Sequence, residues 1–315
     1  MQFLESDFLK LVQARSRKGG GAGIVVGVGD DGAVLDPAGR QVVVVTDMTL
    51  DGVDFRLEQC GYRAAGRKAM ARNLSDLAAM AAEPWCCFIS VALPAGVSGA
   101  DCEELLAGLY GQAEAFDCEV AGGDTKRSPG SLLINVAMAG YVTEAGPVLR
   151  GGARPGDLLF VTGRLGGSGL GRHLDFTPRV AEALRLNERH GPTAMIDLSD
   201  GLAVDLTRLC EASGIGARLF GDALPLHAAA EQAASRDGRS AVLHALLDGE
   251  DYELLFSLDP KGAERLGADP DLGPLVTCVG VCRPGPDGLR LVTRAGESEL
   301  PAGGFEHRFS TDADT

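Results

Sequence analysis

The sequence predicts an α/β protein of the α+β type, organised as two domains that each pack helices on a mixed β-sheet. Three observations carry that expectation. Short β-branched runs such as Val42–Thr46 and Leu158–Thr162 alternate with stretches of helical apolar spacing. The length of 315 residues exceeds one ordinary domain and suits two. At Gly151-Gly152-Ala153-Arg154-Pro155-Gly156-Asp157 the texture turns to glycine and proline, so domains are expected at 1–150 and 151–315.

Taken in order, Phe3, Leu4, Phe8, Leu11 and Val12 recur at helical spacing and predict a helix over 2–16, closed by Lys18-Gly19-Gly20-Gly21. A strand over 24–28 delivers Gly29-Asp30-Asp31-Gly32, and the β-branched run 42–46 predicts a buried strand that ends at Asp47. Alanine, leucine and methionine at helical spacing predict a helix over 60–83, stopped by Pro84. A strand over 86–93, a helix over 99–116, a short strand over 119–121 running into Gly122-Gly123-Asp124, and a strand over 132–142 follow. In the second half, 158–162 reads as a strand and Gly166-Gly167-Ser168-Gly169 as a helix opening. Residues 195–197 form a strand leading to a helix over 201–213, and strands over 252–258 and 275–281 flank a helix over 260–267. The polar tail from Phe309 is expected to fray.

Net charge is −15, which argues against nucleic acid as a partner and against binding a phosphate compound without a metal. The eight cysteines have no C-x-x-C and no histidine-paired spacing, so they read as free thiols of a reducing compartment. Without a basic n-region or an apolar run of membrane-spanning length, the expectation is a cytoplasmic protein with no membrane partner. No G-x-x-x-x-G-K-[ST], kinase-type catalytic loop or G-x-S-x-G occurs.

What remains is a set of aspartates at the edges of glycine-rich or apolar stretches: Asp30, Asp31, Asp47, Asp76, Asp124, Asp197 and Asp200. Carboxylates spread this way suggest a convergent site for several magnesium ions, which take oxygen ligands and bridge carboxylates to substrate phosphates. All but Asp124 have a plainer reading beside them. Asp30 and Asp31 suit an Asp-Gly hairpin turn, and Thr46-Asp47 and Asp197–Asp200 suit helix caps. Asp76 lies in the otherwise apolar stretch 69–82, four residues after Arg72, and suits either an intrahelical ion pair or a metal. Glu250-Asp251-Tyr252-Glu253 is either a polar contact for substrate or a solvated strand edge.

In their order these segments resemble the thiamine-monophosphate kinases, of the superfamily that includes aminoimidazole ribonucleotide synthetase. The strings that carry the resemblance are Gly29–Leu35, Thr46-Asp47-Met48, Lys68–Pro84, Gly122-Gly123-Asp124-Thr125, Ala153–Asp157, Asp197–Leu202 and Gly249–Leu254. The resemblance implies transfer of the γ-phosphoryl group of ATP to thiamine monophosphate, with several Mg2+ ions, and a homodimer paired through the N-terminal domains' sheets. Position by position it implies Asp31, Thr46, Asp47, Asp76, Asp124, Asp197 and Asp200 as metal ligands. Gly123, Asp124, Arg150 and Ser199 would lie along ATP, and Glu250 and Phe305 at the thiamine part. The family commonly has Gly-x-His-Phe after the Thr-Asp strand, with that histidine at the substrate, where this chain has Gly52-Val53-Asp54-Phe55. Asp54 is thereby placed at the substrate, able to accept hydrogen bonds from an aminopyrimidine.

Other readings are an aminoimidazole ribonucleotide synthetase-like enzyme and a nucleotide-binding regulator without turnover. A selenophosphate synthetase would need a reactive cysteine within Gly19–Gly29, and an acidic calcium-binding protein would need a D-x-D-x-D-G loop. This chain has neither.

Overall fold

The computed structural model describes residues 11, 12, 14, 15, 23–26 and 34–305. It divides into two compact units, residues 1–148 with 173–189, and residues 149–172 with 190–315. The predicted helix over 2–16 and the Asp30-Asp31 turn lie largely outside the described residues, although 11, 12, 14 and 15 are helical. The tail beyond Phe305 lies outside them too.

The first unit holds a four-stranded sheet in the order β3-β6-β4-β5. Its strands are β3 (Val42–Leu50), β4 (Ala82–Leu93), β5 (Glu119–Arg127) and β6 (Leu133–Val142). All neighbours are antiparallel except β4 and β5, which the helix α2 (Gly99–Glu114) joins as a parallel crossover. Ser98 caps α2 in a reciprocal pair with Asp101. The long helix α1 (Leu57–Ala79) joins β3 to β4 and packs against α2 and the sheet. A two-stranded ribbon, β1 (Ile24–Val26) with β2 (Val34–Leu35), lays Ile24 and Leu35 against Trp85, Cys86, Ala121 and Ala139. Residues 180–189 of this unit form most of α3 (Val180–His190).

Three expectations are corrected here. β3 does not stop before Asp47 but continues to Leu50, paired throughout with β6. Nor is it buried on both faces: Val44 is 70% exposed and Met48 54%, while Val43 and Thr49 on the other face are buried. A β-branched run looks the same whether one face or two is covered. Second, Pro84 does not end α1. The helix ends at Ala79, Ala81 turns the chain at φ 50°, and β4 starts at Ala82 with Pro84 inside it. Proline is tolerated because β5 joins β4 only from Cys86 onward, leaving that side of Pro84 without a ladder bond to lose. Third, β5 runs through Gly122-Gly123-Asp124 rather than stopping before it. A Cβ on Gly123 would sit 1.9 Å from the Ile89 carbonyl of β4, so the glycine lets the two strands close.

The second unit holds a seven-stranded sheet in the order β13-β12-β9-β11-β7-β10-β8. β7 (Leu158–Thr162), β8 (Ala194–Asp197), β10 (Leu254–Leu258) and β11 (Val276–Pro284) correspond to predicted strands. β9 (Ile215–Phe220), β12 (Leu289–Thr293) and β13 (Gly296–Glu299) were not legible. Only the β12–β9 pair is parallel. Helices α4 (Leu202–Ser213) and α7 (Pro260–Gly267) lie where expected, and α5 (Ala228–Asp237) and α6 (Ala241–Leu247) are additional. Leu159, Val161, Ile196, Leu206, Leu209 and Leu255 lie at the centre of its core. The helix expected to open at Gly166 is replaced by two 3₁₀ turns, Ser168–Leu170 and Arg172–Leu174. Gly166, Gly167 and Gly171 all take positive φ there, which a continuous helix forbids. No helix among the described residues is long and apolar enough to cross a membrane.

Candidate functional site

In the first unit, neighbouring residues of β3 point to opposite faces of the sheet. Asp47 faces α1, where Arg72 meets it: Nη2 donates to Oδ1 at 3.1 Å and Nε lies 2.5 Å from Oδ2. Nη1 of the same guanidinium donates to Oδ1 of Asp54. Burial pushes the Asp47 carboxyl up, with the Asp54 charge adding to it, and Arg72 opposes the shift. Asp54 is itself held, since its Oδ2 accepts the Leu50 N–H at 2.7 Å and its carbonyl accepts Lys68 Nζ. The structure therefore places Asp54 as an anchor beneath Arg72, with 11% of its side chain exposed.

Thr46 faces the other way, its Oγ1 3.4 Å from Oδ1 of Asn135. Register carries that face through Asn135 and Ser90 to Asp124, which is exposed and takes the Thr125 N–H. Thr46 and Asp124 thus share the open face, and Asp47 lies on the helix-covered one. Asp76 is half-buried on α1. Asn73, three residues earlier on the same helical face, is fully buried, and its Oδ1 has no hydrogen-bond partner.

In the second unit β8 delivers Asp197, 4% exposed, to the turn that precedes α4. The capping alternative for these residues does not hold. Gly201 is the N-cap and offers no side chain, while Asp205 in the first turn reaches back to take the Asp200 N–H at 3.0 Å. Burial raises the Asp205 carboxyl to about 7, with Asp197 and Asp200 contributing, and Arg208 ties it to Asp200. Asp205 was missed in the sequence, where it reads as one more polar residue of an amphipathic helix.

Around this turn the backbone gathers the other residues. Glu250 N–H donates to the Ser199 carbonyl at 2.7 Å, and Phe305 N–H donates to the Asp200 carbonyl at 2.9 Å. Leu254 pairs with Asp197 in the β10–β8 ladder. Gly249 makes the approach possible, with φ 74° and a position where a Cβ would lie 2.9 Å from the Ser199 carbonyl. Arg150 is exposed at the start of this unit, beside the Leu149 carbonyl that accepts the Met195 N–H of β8.

The segment 250–253 is not a solvated edge: Asp251, Tyr252 and Glu253 are buried. Asp251 accepts from Gly166 N at 3.0 Å, from Ser168 and from Arg172. Glu253 accepts from Thr162 at 2.7 Å. Beside Glu250 opens a cavity of about 300 Å³, lined among others by Gly167, Leu170, Arg236, Arg239 and His244.

Among the described residues no three Asp, Glu, His or Cys side chains form a ready metal cage. Magnesium does not ask for one, since it is held by one or two carboxylates with waters and substrate phosphates. Asp47, Asp76 with its neighbouring Asn73 oxygen, and the Asp197–Asp200 turn offer hard oxygen donors of that number.

The comparisons with known proteins agree with this architecture. The family described as AIR synthase related protein, N-terminal domain, matches residues 29–142. A thiamine-monophosphate kinase of Rhodopirellula baltica is 42% identical over 315 aligned residues, covering 96% of this chain and 97% of the relative. The chain belongs to the thiamine-monophosphate kinase family. Among solved structures of the family, the enzyme from Stenotrophomonas maltophilia K279a superposes with a TM-score of 0.77 at 31% identity, covering 95% of this chain and 98% of that one. A structure described as AaThiL complexed with AMPPCP and TMP superposes with a TM-score of 0.76 at 27% identity, covering 98% and 99%.

Proposed function

We infer that this chain phosphorylates thiamine monophosphate with ATP to give thiamine diphosphate. The observation that carries the reading is the match to a thiamine-monophosphate kinase over 96% of the chain at 42% identity. In the reaction an oxygen of the acceptor phosphate attacks the γ-phosphorus of ATP, a P–O bond forms, the bond to the β–γ bridging oxygen breaks, and ADP leaves. The accepting oxygen already bears negative charge, so no general base is required. What the protein supplies is in-line positioning and charge neutralisation.

We propose Asp47, Asp76, Asp124, Asp197 and Asp200, with Thr46 and Asp31, as the ligands of several Mg2+ ions. When bound, these ions would neutralise phosphate oxygens of both reactants. Gly123, Asp124, Arg150 and Ser199 are proposed along the nucleotide. Gly123 suits that place, since it is exposed on β5, the edge strand of its sheet. Glu250 and Phe305 are proposed at the thiamine moiety, a reading supported by their common attachment to the Ser199–Asp200 turn. Domains at 1–150 and 151–315 would divide the work, the first binding ATP and metal and pairing in a homodimer, the second completing the site. The exposed apolar face of β3, with Val44 and Met48, supports that pairing. Use of ATP suits a cytoplasmic enzyme.

The test is formation of thiamine diphosphate by the purified chain from ATP and thiamine monophosphate with Mg2+. Turnover that is abolished in Asp47→Asn supports the assignment. An active wild type with aminoimidazole-type substrates and none with thiamine monophosphate overturns it.

A further inference from the structure

Arg72 stands between Asp47 of β3 and Asp54 of the turn that follows, and the two carboxylates are not equivalent partners. Asp54 is fixed from three sides: its Oδ2 by the Leu50 N–H at 2.7 Å, its carbonyl by Lys68, and its Oδ1 by Arg72 Nη1. Its side chain is 11% exposed, against 24% for Asp47. The Asp47 carboxylate faces the Nε–Nη2 edge of the guanidinium, the same edge that grips carboxylate or phosphate as a fork. Asp54 is therefore the permanent anchor and Asp47 the exchangeable partner. A divalent cation that takes the oxygens of Asp47 must compete with that edge. Once displaced from Asp47, the guanidinium stays tethered to Asp54 through Nη1 and turns its Nε–Nη2 edge towards whatever lies beside the metal.

We propose that Arg72 is a built-in counter-ion of the transfer site, occupying Asp47 until a divalent cation does and then, held by Asp54, engaging a phosphate oxygen of the bound acceptor. The inference rests on the proposed kinase reading, in which Asp47 is a metal ligand. It gives Asp54 a part other than direct contact with the thiamine. Its consequence is an ordering: metal loading makes the acceptor's cationic partner available, so metal and acceptor bind cooperatively.

The experiment is calorimetric titration of the full chain with Mn2+ alone, followed by steady-state kinetics. Arg72→Met should bind Mn2+ about fivefold more tightly than wild type, because the ion no longer displaces a cation. Asp54→Asn should bind it more weakly, because Arg72 then leans wholly on Asp47. Opposite signs are the signature, since mere structural damage weakens both. Arg72→Lys keeps the charge but gathers its three donors on one compact ammonium, so it cannot present separate planar edges to Asp54 and Asp47. It should move Mn2+ affinity in the direction of Arg72→Met by a smaller factor, and it remains readable if the methionine variant does not fold. In turnover, Arg72→Met should raise KM for thiamine monophosphate about tenfold while KM for ATP stays within about twofold. Unchanged or weaker Mn2+ binding by both arginine variants, or equal rises in the two KM values, overturns the proposal. Lack of thiamine diphosphate formation by wild type overturns the kinase reading instead and leaves the Mn2+ comparison standing on its own.

Discussion

Lys68 is completely buried and heads the large side chains that the described residues bury. An ammonium group in that position is stable only with acceptors around it, and two are the Asp54 carbonyl and His173 Nδ1 at 2.7 Å. Its neighbour Arg67 donates to the carbonyls of Leu174 at 3.0 Å and Phe176 at 2.6 Å. One turn of α1 thus fastens both the Asp54 turn and the 173–176 segment. Lys68→Met keeps the volume but strands these partners, so it should cost about 2–4 kcal/mol of unfolding free energy in urea titrations. A cost below about 0.5 kcal/mol would show that the charge is not part of the packing. The arginine within the apolar stretch 69–82 is legible in the sequence. Which acids it serves is not, because Asp47 and Asp54 reach Arg72 only through the pairing of β3 with the sheet beneath α1.

At the scale of elements, sequence reasoning located strands and helices where a single pattern dominates. Gly99–Glu114, Leu158–Thr162, Leu202–Ser213 and Pro260–Gly267 all follow from apolar spacing with a clear cap or turn. It failed where tertiary pairing overrides a local stop signal, as in β3 past Asp47, β4 across Pro84 and β5 through Gly122-Gly123. It also failed where glycines forbid a helix, in the loop after β7. That loop is organised by Asp251, whose carboxyl burial raises to about 6 from an ordinary 3.8, with Arg172 pulling it back. Because the folded value is the higher one, the contribution of this group to stability is complete below about pH 4 and is lost as pH rises through 6. Arg172→Met removes the opposing charge and moves that loss to higher pH. The variant should lie close to wild type at pH 5 and be less stable by about 3 kcal/mol at pH 8, with Asp251→Asn in the same background restoring most of the difference. A deficit that is the same at both pH values would assign the role of Arg172 to packing alone.

For the molecule as a whole, charge and exposed apolar surface decide how it meets its partners. Val44 and Met48 protrude from β3 on the face that α1 does not cover, and water is a poor neighbour for both. Val44→Asp combined with Met48→Asp should convert a dimer to a monomer in light scattering while leaving the circular dichroism spectrum unchanged. A wild type that is already monomeric would rule that pairing out. The net charge of −15 bears on the reactants themselves. ATP is an anion approaching an acidic protein whose candidate site is lined by aspartates, so nucleotide without a divalent cation should be repelled rather than bound. Binding to the native state raises stability by mass action, about 2.7 kcal/mol when ligand exceeds its Kd a hundredfold. For a protein of this size that amounts to several degrees in Tm. ATP with Mg2+ should therefore shift the melting transition upwards, ATP with EDTA should leave it unmoved, and Mg2+ alone should give a smaller shift than the pair. An equal rise with ATP in EDTA would mean that side chains such as Arg150 hold the phosphates without metal, and that the aspartates serve some other purpose.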